Sequence, residues 1–439
     1  MNPLVLLLCA GTSSRMRPIK NKMLISYLGK PILMHQFDNL VDIGLKDFVI
    51  VCNQENLSKI KALFKNRKEN INFCIQKDLS EGIKGGVMSA ENIILSQKKP
   101  LLIISSNDYV EKNIFKKLLN EAKKTQSETL IVGKNVENYF PGGYMKINSQ
   151  NHIESIVEKP KKGTEPSDLV ALVIQLFKNP KKLLSTYKQV ENSQDDAHEL
   201  VLDIIFKQEK NALCVEYQGF WQAIKYPFHT LALMKHFLDN LDKNVIHKSV
   251  KPPKNCIIEN SYIEENVNIM DFSVIKNSYI GKNSIIGNHA LIRNSHIGEK
   301  CVIGGQTEIC RSYIGDFNWT HQNFIGDSFF CSNISLGAGC RTANLRLDEE
   351  NISMQIKEQK INSCINKLGS FIGENVRIGI NTSIMPGLTI GDDVFISSGI
   401  IVDKNIPKNT FIKTQNQLTQ KENKNKSQKR DTYSQGIKK

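Results

Sequence analysis

The chain predicts two successive architectures: a doubly wound α/β domain with a mostly parallel sheet, then a three-sided parallel β-helix. Three observations carry this. Short apolar runs alternate with amphipathic stretches through the first half, the pattern of strands joined by crossover helices. The first run, Leu4 to Cys9, ends in the small-residue loop Ala10-Gly11-Thr12-Ser13-Ser14, followed by Arg15, Arg17, Lys20 and Lys22. In the second half a unit recurs every 17 residues with an aliphatic residue every five or six positions. One aliphatic per short strand, with three strands per turn, describes a solenoid that fills its own interior.

In chain order, strands are expected at Leu4–Cys9, Phe48–Cys52, Phe73–Gln76, Leu101–Ser105 and Thr129–Gly133, with helices near 31–43, 54–66, 85–97 and 112–125. Ligands of such sheets sit at the carboxyl ends of the strands, where residues 10–22 fall. Small residues there let backbone N–H groups approach an anion, and the cations beyond neutralise phosphate oxygens. Gln76 closes the third strand before Gly82-Ile83-Lys84-Gly85-Gly86, and Asp108 follows the fourth within Ser106-Asn107-Asp108. A carboxylate at a strand end can hold Mg²⁺ against nucleotide phosphates. Taken alone, Gln76 and Asp108 are ordinary cap or turn residues.

The spelling of the loop, Ala-Gly-x-Ser-Ser-Arg-Met-x-Pro-x-x-x-Lys followed by Leu28-Gly29-Lys30-Pro31, resembles the signature of the sugar-1-phosphate nucleotidylyltransferases. Neither Gly-Lys-Ser/Thr nor Gly-x-Gly-x-x-Gly is present, so the loop is neither a P-loop nor a dinucleotide fingerprint. The resemblance implies that Ala10, Gly11, Arg15 and Lys22 meet the nucleotide, that Gln76 and Gly82 face the base, and that Asp108 is the metal ligand. Gly143, followed by Glu158-Lys159-Pro160, resembles the family's sugar and sugar-phosphate contacts. Two departures stand out. Val170-Ala171-Leu172-Val173 lacks the usual Asn or Gly, and the family's Trp-x-Asp-Ile-Gly-Thr-Pro is here Trp221-Gln222-Ala223-Ile224-Lys225-Tyr226-Pro227, with Ala223 for the second metal carboxylate.

Residues 1–235 thus read as the nucleotidyltransferase domain and 236–251 as a linker helix. Residues 252–413 read as the β-helix and 414–439 as a disordered basic tail. In the β-helix Asn260-Ser261-Tyr262-Ile263 returns at 277, 294 and 311, and Ile372, Ile378, Ile384, Ile390 and Ile396 keep a step of six. This resembles the left-handed hexapeptide-repeat domain, which implies a homotrimer or a dimer of trimers with clefts between chains. Trp319 to Ser328, with Gly337-Ala338-Gly339 and Asn344, resembles the acetyltransferase site of the bifunctional N-acetylglucosamine-1-phosphate uridylyltransferases. That resemblance implies His321 as catalytic base and Ala338 and Asn344 as acetyl-CoA contacts. Charged residues 346–368 interrupt the repeat and read as an external loop able to reach a neighbouring subunit's cleft.

Composition bounds the rest. A length of 439 residues is long for one core, and the net charge of +14 suits phosphate ligands. Ten scattered cysteines point to a reduced, cytoplasmic protein, and no run of ~18 apolar residues is present to span a bilayer. Neither a nucleic acid nor a membrane is expected as partner. The sequence therefore reads as an enzyme joining an NTP (UTP or dTTP) to a sugar 1-phosphate, with UDP-N-acetylglucosamine as the expected product. Mg²⁺ would be its cofactor and acetyl-CoA the co-substrate of a second site. The alternatives are a monofunctional pyrophosphorylase with a structural β-helix, and a non-catalytic assembly subunit.

Overall fold

The computed structural model describes residues 1–190, 196–414 and 421–423. The tail expected from 414 onward therefore lies largely outside the described residues. The first half is built on one nine-stranded sheet. Its strands are β1 (Leu4–Leu8), β2 (Asp47–Cys52), β3 (Asn70–Ile75), β4 (Leu101–Ser105), β5 (Thr129–Asn135), β6 (Gly143–Ile147), β7 (Ile153–Glu158), β8 (Leu169–Phe177) and β9 (Leu213–Glu216). Side by side they run β7-β6-β8-β4-β1-β2-β3, with β5 also on β8 and β9 on β5. β1 lies parallel to β2 and β4, and β2 to β3. These centre strands are apolar at successive positions, and Leu4–Leu7 and Phe48–Cys52 are buried on both faces, as a helix-covered parallel sheet requires. The long β8 then runs antiparallel to β4, β5 and β6, extending the sheet toward the β6–β7 hairpin.

The second half winds as three eight-stranded parallel sheets. Ile263, Ile280, Ile297 and Ile314 stack in register, as do Ile275, Ile292 and Ile309, and all are fully buried. Asn260, Asn277 and Asn294 turn equivalent corners at φ 44, 45 and 51, a conformation that Asn tolerates better than most residues. The glycines have another function. A Cβ at Gly281 would meet the Gly298 carbonyl carbon at 2.6 Å, and one at Gly287 the Gly305 nitrogen at 2.5 Å. Close approach of successive coils, and not a positive φ, selects glycine there.

The solenoid has its own interior core, but the two halves also share a buried cluster at their junction. One column of the β-helix carries Tyr262, Tyr279, His296, Tyr313, Phe329 and Phe371 as a stacked ladder. Most of this ladder belongs to the same buried cluster as β1, β2 and the helix His229–Asp239. Tyr27 sits at the junction, stacked on Phe237 at 5.2 Å and edge-on to Tyr313 at 5.9 Å. The segment expected to be a linker helix differs accordingly. Leu233, Met234, Phe237 and Leu238 bury one side of the 229–239 helix in the shared cluster, and Val245–Ile246 already pairs with Tyr262–Ile263 as the first rung of the solenoid. The 346–368 excursion also departs from expectation. It folds back as a hairpin, Ser353–Ile356 against Gln359–Asn362, and its alternating Ile352, Met354 and Ile356 bury into the same cluster of its own chain. Their spacing of two is a strand signal that the surrounding charges mask.

Candidate active sites

β1 ends at the first site. Its loop turns through Ser13 at φ 55 into the short helical turn Ser14–Met16 and then Lys22–Leu24. The cavity above the strand ends measures about 300 Å³ and is lined by Ala10, Gly11, Arg15, Lys22, Gln76 and Gly82 together with Asn107 and Lys225. The six residues that the resemblance assigns to the nucleotide thus line one cavity. Gln76 is buried, and its Nε2 donates to the carbonyls of Asp78 and Gly82 at 3.0 and 2.9 Å, so it fixes the turn between them.

Lys22 is not an exposed loop lysine. It is 8% exposed and donates from Nζ to the Ile224 carbonyl at 2.6 Å. Burial pushes its ammonium down to about 8, Asp108 opposing the shift and Arg15 adding to it. Asp108 opens a short strand whose antiparallel partner is Trp221–Ala223, with Asp108 directly opposite Ala223. Burial raises the Asp108 carboxyl, while Lys225 and Lys22 hold it down. Lys225 was read only as part of a departing motif, yet its side chain lines the cavity. Burial lowers it to about 8 against the pull of Asp108.

Gly143 and Glu158 are register partners on the β6–β7 hairpin. A Cβ at Gly143 would press on Ile156 at 2.9 Å and approach Glu158 Oε2 at 3.3 Å, and Glu158 pairs with Lys159 at 3.0 Å. Lys159 adopts φ 45, an outlying backbone conformation for a long side chain. Both Glu158 and Lys159 lie close enough to Lys225 to act on its charge. Through the Pro141 carbonyl, two residues before Gly143, the Lys225 ammonium is tied to the start of this hairpin while lining the cavity of the 10–22 loop.

Among the described residues no group of three His, Cys, Asp or Glu is placed to hold a metal ion. Asp108, with the buried, unpartnered Oδ1 of Asn107 beside it in sequence, fits a magnesium ion that arrives on the nucleotide's phosphates. Ala223 stands across from it.

The second site lies on the solenoid. Ile303 pairs with Thr320 but Ile309 with Ile325, so the corner between them is one residue shorter than its counterpart in the coil before. His321 occupies that tightened corner, exposed, its backbone N–H donating to Asn323 Oδ1 at 2.6 Å. A Cβ at Gly304 would stand 2.7 Å from His321 Nδ1, so the glycine makes room for the ring. Asn323 Nδ2 reaches the Gly337 carbonyl at 2.8 Å, and Gly339 N–H donates to the Gln322 carbonyl at 3.2 Å. His321 thus rides directly above Gly337-Ala338-Gly339. Asn344 crosses Gly326 and donates to Asp327 Oδ2 at 2.5 Å, and Arg311 grips the same carboxylate at 2.6 and 2.8 Å. Arg311 and Asp327 were not singled out from the sequence. The available signal was Arg311 itself, a cation at φ 49 where the three earlier repeats place Asn.

The chain matches the nucleotidyl transferase family model over residues 4–224, a GMPPB C-terminal domain model over 241–324 and a hexapeptide transferase model over 369–399. A curated relative from Sulfurisphaera tokodaii, named bifunctional sugar-1-phosphate nucleotidylyltransferase/acetyltransferase, is 30% identical over 416 residues, covering 93% of this chain and 99% of the relative. The chain belongs to this bifunctional family. Proteins named bifunctional protein GlmU from Methanococcus maripaludis and Methanocaldococcus jannaschii are 31% and 28% identical, each over 94% of this chain and 98% of the relative. The protein is accordingly a nucleotidyltransferase fused to a left-handed hexapeptide β-helix of acetyltransferase type. Among the described residues no helix is long and apolar enough to cross a membrane.

Proposed function

We propose that the first site joins UTP or dTTP to a sugar 1-phosphate, UTP giving UDP-N-acetylglucosamine, and that the second N-acetylates the amino-sugar 1-phosphate with acetyl-CoA. The observation that carries the reading is the single cavity at the strand ends that brings Arg15 and Lys22 of the loop together with Gln76, Gly82 and Lys225. An oxygen of the sugar phosphate attacks the α-phosphorus in line, a new P–O bond forms, and the bond to pyrophosphate breaks. Positioning and charge neutralisation carry such a transfer. Arg15 neutralises the departing β and γ phosphates, Lys22 the α-phosphate, and Lys159 the incoming phosphate. Asp108, with Asn107, would meet the magnesium ion, which spreads phosphate charge when bound.

In the second site His321 accepts the proton of the sugar amine as its nitrogen attacks the thioester carbonyl and the thiolate of CoA leaves. Ala338 and Asn344 flank the thioester. Asn344 is held by Asp327, whose other oxygen is held by Arg311. The solenoid faces also carry exposed Phe395, Ile401 and Phe411, which suits the trimer proposed for this protein. Pyrophosphate release over a panel of nucleotides and hexose or hexosamine 1-phosphates, run beside acetyl-CoA turnover, tests the reading. Absence of acetyl transfer to glucosamine or galactosamine 1-phosphate would reduce the β-helix to an assembly domain. Absence of pyrophosphate release with every pair would leave the assembly-subunit alternative standing.

A further inference from the structure

Lys225 is held from three directions. Its backbone N–H donates to His229 Nδ1 at 3.1 Å. Its ammonium donates to the Pro141 carbonyl and lies 3.6 Å from the centre of the Phe140 ring. Phe140 in turn packs edge-on against Trp221 at 4.8 Å. The ammonium is thus fixed at the cavity wall, where Asp108 and Glu158 favour its charge and Arg15 and Lys159 oppose it. A lysine needs no such scaffold for solubility, and a buried ammonium without function carries a desolvation cost. Two residues earlier, Ala223 faces Asp108 with a methyl group, where a carboxylate would complete an oxygen cage for a divalent cation. Three cationic side chains, Arg15, Lys22 and Lys225, therefore line one cavity.

We propose that Lys225 is a catalytic phosphate-binding cation of the nucleotidyl-transfer site, a built-in positive charge that takes over what a second, carboxylate-held metal ion would supply. The inference rests on the proposed nucleotidyl transfer and adds to it the residue that touches the reacting phosphates. Its ligand is the pair of phosphates flanking the bond that forms: the nucleotide α-phosphate and the sugar phosphate. The charge is in place before the substrates arrive, so it costs no reorganisation during the reaction.

Three measurements test this. Lys225→Ala should lower nucleotidyl-transfer kcat by about 100-fold, the loss typical of removing one preorganised charge partner, with acetyl transfer at the His321 site unchanged as the control for folding. Binding of UTP to the Lys225→Ala protein in excess EDTA, followed by calorimetry, should weaken at least about 10-fold against wild type, which a merely structural role would not produce. Binding of Mn²⁺ to the substrate-free protein, read by electron paramagnetic resonance, should be undetectable at millimolar metal for wild type and appear in the Ala223→Asp/Lys225→Gly double variant. Wild-type kcat and unchanged UTP affinity in Lys225→Ala overturn the proposal, as does tight Mn²⁺ binding by wild type. If wild type itself releases no pyrophosphate with any nucleotide and sugar phosphate, the nucleotidyl-transfer reading fails instead, and the UTP titration still reports on Lys225.

Discussion

Tyr27→Ala tests whether the two halves share one core. Tyr27 is fully buried, its hydroxyl donates to the Thr230 carbonyl at 3.0 Å, and its ring meets Phe237 from its own half and Tyr313 and His296 from the solenoid. Truncating a buried aromatic of this size costs about 3–5 kcal/mol. The part that couples the halves is smaller. Each of the two edge-on contacts is worth about 0.5–1.5 kcal/mol beyond area, giving about 1–3 kcal/mol across the junction. A double-mutant cycle of Tyr27→Ala with Tyr313→Ala isolates one of these contacts, measured as urea unfolding at fixed protein concentration. A coupling of about 0.5–1.5 kcal/mol is expected, and calorimetry of Tyr27→Ala should show the nucleotidyltransferase half melting ahead of the β-helix. Additive single-variant losses, within about 0.3 kcal/mol, would show that the halves abut without sharing stability and would refute the common core.

Lys22→Ala should lower nucleotidyl transfer at least about 100-fold. Because Lys22 is buried and bonded to Ile224, it should also cost about 1–2 kcal/mol of stability, read as a lower urea midpoint. His321→Ala should lower acetyl transfer by about 10²–10⁴-fold with pyrophosphate release and melting temperature unchanged, since the side chain is exposed. The third of these predictions concerns pH. Burial in the ladder pushes the His296 imidazole down to about 3, below its ordinary value near 6.5. Below pH 6.5 the unfolded chain takes a proton that the folded one refuses, so stability falls as pH drops from about 6.5 toward 3. His296→Phe, matching Phe329 in the same column, should shift acid unfolding to lower pH. An unchanged acid midpoint would mean that His296 takes up its proton without leaving the ladder.

Local chemistry made much of this protein legible in its sequence. The loop from Ala10 to Lys22 declares itself because an anion site at a strand end needs small residues and then cations in a fixed order. The solenoid does so because each short strand buries one aliphatic, so that Ile263 to Ile314 print the period directly. The spacing from His321 to Gly337-Ala338-Gly339 is likewise printed in the sequence, and the fold sets the two stretches on adjoining coils. What the sequence could not carry was decided by contacts between residues far apart in the chain. The aromatic ladder is a spacing of 17 that reads as repeat decoration until Tyr27 and Phe237 close on it. The hairpin at 353–362 reads as a charged loop until its alternate side chains find that same core. Lys22 looks exposed in a basic loop, and only the carbonyl of Ile224, some two hundred residues away, shows it to be buried. Lys225 is a substitution in a motif until folding sets it in the wall of the cavity that Arg15 and Lys22 line. A side chain's charge is written in the sequence, but what that charge faces depends on burial and on partners that only the folded chain brings together.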